Sequence, residues 1–306
     1  MRILSSDEID SALAYPELIE TLLRAYRSRV VVPQPAGFSI ARPHQTAGIL
    51  KAVPAWSNFV AQGHTDRGYI GCGITLELPQ SDDAPDIGSS QSGSALYLLL
   101  SGTTGHPVAL LDGVRLAVWR RCALHALATR YLAREDTSRL LVIGTDPMLP
   151  SLLAAYAAVR DIRSVLLTAG AEAFLDNLRT HPKLKRITFG ATDDLAGAVA
   201  GADMICCASR APVDLPGPAL SPGAHIDVLD PDSRLDEGTL SQVRIFVGDR
   251  NEAGALADED IAADLRELAK GEKAGRRFYG QMTHFHPGGS SGLADLAVAG
   301  HVFLRS

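Results

Sequence analysis

Arg120 lies in the run VWRRCALHALATRYLA, on a long alanine-rich stretch free of Gly and Pro that reads as a helix. Ala117, Leu124, Leu127 and Ala128 fall three, four, seven and eight positions away, on the same helix face. An arginine on an apolar face is seldom buried without an anion. A ligand carboxylate gripped by the guanidinium fork would serve, and so would an acidic side chain across a domain boundary. Spacing leaves the two open. A second candidate is the acidic run that ends HIDVLDPD. There Asp230 and Asp232 follow a β-like segment and could hold a proton, or could cap the helix beginning near Asp236.

The stretch LLVIGTDPMLPSLLAA raises a different chemistry. An apolar run meets Gly144, and a helical pattern follows. A dinucleotide turn of the form G-x-G-x-x-G uses its second glycine for close approach of the pyrophosphate, which rests on the N–H groups of the helix start. Here Asp146 holds the second position and Leu149 the third. Asp146 followed by Pro147 also reads as a self-capped helix start, because Asp is favoured at the N-cap and Pro at the first helical position. From the turn alone, nucleotide binding and a purely structural turn stand level. The acid expected about 20 residues further on is replaced by Thr168, with Glu172 beyond, so a preference for NAD or NADP is not set.

Other groupings carry less. Residues 288–292, GGSSG, match a hydrolase elbow at Ser290, but only Asp295 and His301 follow, within one short helix. A flexible turn before the last helix explains them better. His284 and His286 would project to one side of a strand as a metal pair, yet no third ligand stands at a telling distance. Cys72, Cys122, Cys206 and Cys207 form no C-x-x-C pair and read as reduced thiols. A cytoplasmic location is the expectation.

The elements that must position these residues follow from periodicity. Ser5 with Glu8 makes a capping box, and Pro16 opens a helix carrying Leu18, Leu22, Leu23 and Tyr26. Short strands broken by Gly and Pro fill the chain to about 115, a mixed α+β region. Beyond the arginine helix, RLLVI, RSVLLT, KRITF, DMICCA, AHIDVL and RIFVG alternate with helices, the pattern of a parallel sheet covered on both faces. Residues 251–275 read as helical. With 306 residues the chain suits one large or two ordinary domains, and its net charge of -6 without a basic run indicates neither nucleic acid nor a membrane surface. The polar start MRILSSDEID predicts no signal peptide, and no apolar run approaches a bilayer span of about 20 residues.

The order of several motifs resembles the ornithine cyclodeaminase and mu-crystallin family. They are VPQP at 32–35, ILKAVPA at 49–55, TTGHPVALLDG at 103–113, VWRRCALHALATRYLA at 118–133, LLVIG, GADMICCAS at 201–209, PGAHIDVLDPD at 222–232 and the tail DLAVA. The resemblance implies an α/β chain with two parts. Residues 1–117 with 284–306 would form an α+β domain for substrate binding and dimerisation. Residues 118–283 would form a Rossmann-like, doubly wound parallel sheet domain. It implies hydride transfer between NAD or NADP and a small amino or imino acid, by a homodimer, as an oxidoreductase or lyase. Carried over by position, Arg120 would bind the substrate carboxylate, Asp232 would handle the amine or a water, and Ser92 would supply a hydroxyl. Gly144, Thr145, Asp146, Pro147, Met148, Thr168 and Ser209 would line the cofactor. The family's second carboxylate-binding arginine falls near Pro35 or Phe38, and its lysine on about Gly73. Those departures argue against ornithine cyclisation itself and leave Arg42 or Lys51 as replacements. They also keep a second reading open, a binding or scaffold protein with the family fold and a lost cofactor site.

Overall fold

The computed structural model describes residues 1–43, 45–57, 68–78, 93–168, 172–209, 213, 215, 220–254, 256–288 and 292–306. The chain divides into two compact units, Met1–Arg120 with Ser290–Ser306, and Arg121–Gly289.

The first unit starts with β1 (Arg2–Leu4) and α1 (Ser6–Ala12). The capping box forms as the sequence predicts: Ser5 N donates to Glu8 Oε2 at 2.8 Å, and Glu8 N to Ser5 Oγ at 3.4 Å. In α2 (Tyr15–Arg27) Pro16 stands in the first turn, and Tyr15, Leu18, Ile19, Leu22, Leu23 and Tyr26 make its buried side. Each large apolar side chain buried in this way contributes about 1.5–3 kcal/mol. A seven-stranded sheet follows from β1, β2 (Val30–Val31), β3 (Ala36–Ile40), β4 (Gly48–Ser57), β5 (Tyr69–Glu77), β6 (Gly93–Ser101) and β7 (Pro107–Asp112). Its order is β1-β7-β6-β5-β4-β2, with β3 also paired to β4; β1 runs parallel to β7 and the other pairs are antiparallel. Helix α3 (Gly113–Leu132) leaves this sheet. The C-terminal helix α9 (Gly292–Arg305) packs on α2 and on β4 and β5.

The second unit is a doubly wound α/β sheet. Its strands are β8 (Arg139–Gly144), β9 (Ser164–Thr168), β10 (Thr188–Thr192), β11 (Met204–Ala208), β12 (His225–Val228), β13 (Arg244–Val247), β14 (Ile261–Asp264) and β15 (Thr283–His286). All pairs are parallel, in the order β10-β9-β8-β11-β12-β15-β13-β14. The apolar runs of β11 and β12 are buried along their whole length, as strands covered on both faces must be. Helices α4 (Leu149–Ala157), α5 (Glu172–Thr180), α6 (Leu195–Gly201), α7 (Glu237–Leu240) and α8 (Leu265–Lys270) connect them. No helix among the described residues is long and apolar enough to cross a membrane.

Three expectations change. Residues 251–275 are not one helical segment: a short 3-10 turn, Arg250–Glu252, precedes β14, and among the described residues of this range only Leu265–Lys270 is α-helical. Alanine favours a helix locally, but pairing of Ile261 and Ala263 with β13 at the sheet edge outweighs so weak a preference. The boundary expected at 283/284 also moves. Thr283–His286 forms the strand between β12 and β13, so the second unit keeps both histidines. The boundary expected at 117/118 shifts to 120/121.

Candidate functional site

The second sheet reverses its winding between β8 and β11. From β8 the chain steps outward to β9 and β10, then returns to place β11 on the other side of β8. Ligands of open parallel sheets bind beyond the strand ends at such a reversal. Gly144 ends β8 there with φ +86°, a conformation glycine adopts without strain. A Cβ at this position would stand 3.0 Å from the Ala208 carbonyl oxygen and 3.2 Å from Ser209 Cβ. The turn is therefore too tight for a side chain, and it sets Gly144 directly against Ser209. Thr168, at the end of β9, accepts a hydrogen bond at Oγ1 from Gly144 N at 3.2 Å. Gly144, Thr145, Thr168 and Ser209 thus gather at one end of one sheet.

The helix after this turn begins later than predicted. It starts at Leu149, with Pro150 rather than Pro147 in its first turn. Asp146 is not its N-cap. The Asp146 carboxylate accepts from Met148 N at 2.7 Å, and the Asp146 carbonyl accepts from Leu149 N at 3.0 Å. Pro147 and Met148 are turn residues that the Asp146 bonds close off before the helix. The turn fits a dinucleotide where it must be tight, at Gly144. It departs where a pyrophosphate would draw on N–H groups, since Asp146 takes two of them and Pro150 has none.

At the end of β12, Asp232 is exposed and its N–H donates to Asp230 Oδ1 at 2.9 Å. Neither acid caps α7. Asp236 does so, accepting from Thr239 N at 2.8 Å. The Arg121 guanidinium reaches the Leu229 carbonyl at 3.2 Å and so ties α3 to the base of the acidic loop. Asp232 stands on the same end of the sheet as Gly144, two strands away through β11. Ser92 and Ser290 lie outside the described residues.

Behind this end lies a polar group that sequence reading missed. Asp227, with no exposed surface, is held by His125 Nδ1 at 2.8 Å and accepts from Tyr156 OH at 2.6 Å. The signal was a carboxylate one residue from each of Ile226 and Val228 in a buried strand, where a charge needs partners. Burial and the nearby Asp227 charge push the Tyr156 phenol well above its ordinary range. Of the two histidines, His284 donates from Nδ1 to the Ile226 carbonyl at 3.3 Å, and His286 from Nε2 to that of Pro231 at 3.1 Å. No group of three metal-binding side chains occurs among the described residues.

Burial, the largest cause in each, depresses both His225 and His284 from 6.5 to about 3. Between those values the unfolded chain binds protons that the native chain does not, so stability must fall as pH drops through that window. The midpoint of thermal unfolding is expected to decline steadily from pH 6.5 toward 4, and to decline less in a His284→Asn variant. A pH-independent midpoint would show that these rings do not control acid stability.

Arg120 ends the first unit. Its Nε lies 2.6 Å from Asp295 Oδ1 on α9, with side chains 11% and 15% exposed. Nε–H is not aligned for a hydrogen bond, so the attraction is one of charge. The counter-ion is an acidic side chain, as the second alternative above had it, and with the boundary at 120/121 it belongs to the same unit as Arg120. Arg42 is turned onto its own loop, with Nε 2.9 Å from the Thr46 carbonyl. Lys51 pairs with Thr75 in a register that puts Val53 opposite Gly73, so Lys51 shares a sheet face with the position where the family lysine was expected. A cavity of about 490 Å³ opens between Arg134, Asp136, Arg276, Phe278 and Tyr279. The Arg134 and Arg276 guanidinium groups there are bonded to Asp203 and to the Pro222, Leu132 and Gly223 carbonyls, which makes them structural.

Residues 7–305 match the model of the ornithine cyclodeaminase/mu-crystallin family. A Delta(1)-pyrroline-2-carboxylate reductase of Colwellia psychrerythraea is 29% identical, covering 98% of this chain and 97% of that protein. Among solved structures, Thermococcus litoralis Delta(1)-pyrroline-2-carboxylate reductase in complex with NADH and L-proline superposes with a TM-score of 0.82 at 22% identity, covering 100% of this chain and 97% of that one. An archaeal alanine dehydrogenase dimer with bound NAD also gives 0.82, at 24% identity, covering 100% and 95%.

Proposed function

The chain belongs to the ornithine cyclodeaminase/mu-crystallin family, and from that premise we propose that it is an NAD(P)-dependent reductase of a small imino acid of the Δ1-pyrroline-2-carboxylate kind. The observation that carries this reading is the glycine turn at the winding reversal, with Gly144 at φ +86° packed against Ala208 and Ser209. Gly144, Thr145, Pro147 and Met148 would line the pyrophosphate, and Thr168 and Ser209 the flanking strand ends. A bound nicotinamide supplies the hydride. Arg120 grips the substrate carboxylate, and the exposed Asp232 holds or delivers the proton at nitrogen. Lys51 is the cation on the face where the missing lysine was expected. The alanine dehydrogenase dimer supports a homodimer as the working unit, and three buried free cysteines support a reducing, cytoplasmic setting.

Asp146 favours a second reading, a binding protein whose cofactor site is lost, because its carboxylate holds the Met148 N–H at 2.7 Å. Titration with NADH and NADPH, followed by nicotinamide fluorescence, separates the two. Micromolar binding of one nucleotide, together with its oxidation on addition of Δ1-pyrroline-2-carboxylate, is expected. Asp146→Ser removes a negative charge from the anion position and is expected to tighten the dinucleotide about tenfold, or about 1.4 kcal/mol. Absence of binding in both proteins up to millimolar nucleotide would sink the reductase reading and leave the binding protein.

A further inference from the structure

Asp295 stands in the first turn of α9, where a negative charge also suits the helix dipole. Burying it with Arg120 costs the hydration of both charges, and apolar side chains of like volume would often serve stability as well. Burial pushes the Asp295 carboxyl above its ordinary range, against the pull of Arg120. Among the described residues, Tyr97 on β6 feels the Asp295 charge and that of Cys72 on β5. The Tyr97 hydroxyl is buried without a hydrogen-bond partner among the described residues. Space for it exists because position 71 is glycine: a Cβ there would collide with the phenol and stand 2.9 Å from Leu296 Cδ1. A costly charge pair beside an unpartnered hydroxyl is a poor choice for packing alone.

We propose that Asp295 is the positioning residue of Arg120: its charge holds the guanidinium from the Nε side and so presents Nη1 and Nη2 to a ligand carboxylate. The inference rests on the carboxylate-binding role given to Arg120 above. The fork of an arginine has two usable edges, and fixing one removes the freedom that a long side chain would otherwise lose on binding. Asp295 itself does not touch the ligand.

The test uses pyrrole-2-carboxylate, a planar and unreactive carboxylate, measured by calorimetry on the whole protein with and without NADH. Asp295→Asn keeps the shape and removes the charge. Its dissociation constant for the probe is expected to rise at least tenfold, the scale on which small misplacement of a binding group acts, while NADH affinity stays within twofold. Arg120→Ala is the control for the underlying reading. If Arg120→Ala binds the probe as the parent does, the carboxylate site is misassigned and the inference falls with it. If Arg120→Ala loses binding and Asp295→Asn does not, Arg120 keeps its role and Asp295 has none. Should Asp295→Asn fail to fold, Asp295→Glu decides, since it retains the charge but displaces the guanidinium. Unchanged affinity in that variant overturns the proposal, and a loss of tenfold or more supports it.

Discussion

Arg120→Ala is expected to lower kcat/KM for Δ1-pyrroline-2-carboxylate reduction about a thousandfold or more, equivalent to about 4 kcal/mol. That is the scale of losing a charge-assisted, two-point grip on a carboxylate inside a site. Fold loss is a separate matter that the Asp295 pairing makes predictable. Removing the guanidinium strands a carboxylate whose side chain is 15% exposed. Since burial already raises the pKa of Asp295, it can take up a proton instead of unfolding the unit. The unfolding midpoint of Arg120→Ala is thus expected to fall modestly, and adding Asp295→Asn is expected to restore much of it. Activity is expected to stay lost in the double variant. Turnover within tenfold of the parent in Arg120→Ala would remove Arg120 from the substrate.

Asp227→Ala is expected to destabilise the protein by about 3–5 kcal/mol, read from urea unfolding of the whole chain. Asp227 is fully buried on β12, and it receives His125 Nδ1 at 2.8 Å and Tyr156 OH at 2.6 Å. Truncation leaves both of those groups in the apolar interior of the sheet without their acceptor, at about 1–3 kcal/mol each. Tyr156→Phe removes one donor and its hydroxyl together and is expected to cost only about 1–1.5 kcal/mol. The three residues share one carboxylate, so their effects are expected not to add, and a double-mutant cycle would measure the coupling. A loss under about 1 kcal/mol for Asp227→Ala would mean that water or a neighbour replaces the carboxylate.

The amino-acid sequence by itself determined what local physics decides. The Ser5–Glu8 box closes within one helical turn, the buried side of α2 repeats at three and four residues, and the apolar run of β11 reads as a strand covered on both faces. Gly144 is legible for the same reason, because its positive φ is demanded by the turn it makes with its own neighbours. The order of the motifs added the family, and with it the two-part plan.

Tertiary structure decided the partners. Arg120 was readable as an inward-facing cation, but its counter-ion, Asp295, comes from the far end of the chain. Asp227 went unread in its strand, and its two holders come from α3 and α4. The helical look of residues 251–275 lost to pairing at a sheet edge, and the strand Thr283–His286 joined the second unit because β12 and β13 had a place between them. Asp146 took a turn bond in place of the helix cap foreseen for it. Where the strands won, a weak local preference, worth fractions of a kcal/mol per residue, met a long-range pairing worth more, and such contacts leave no period in the sequence to read.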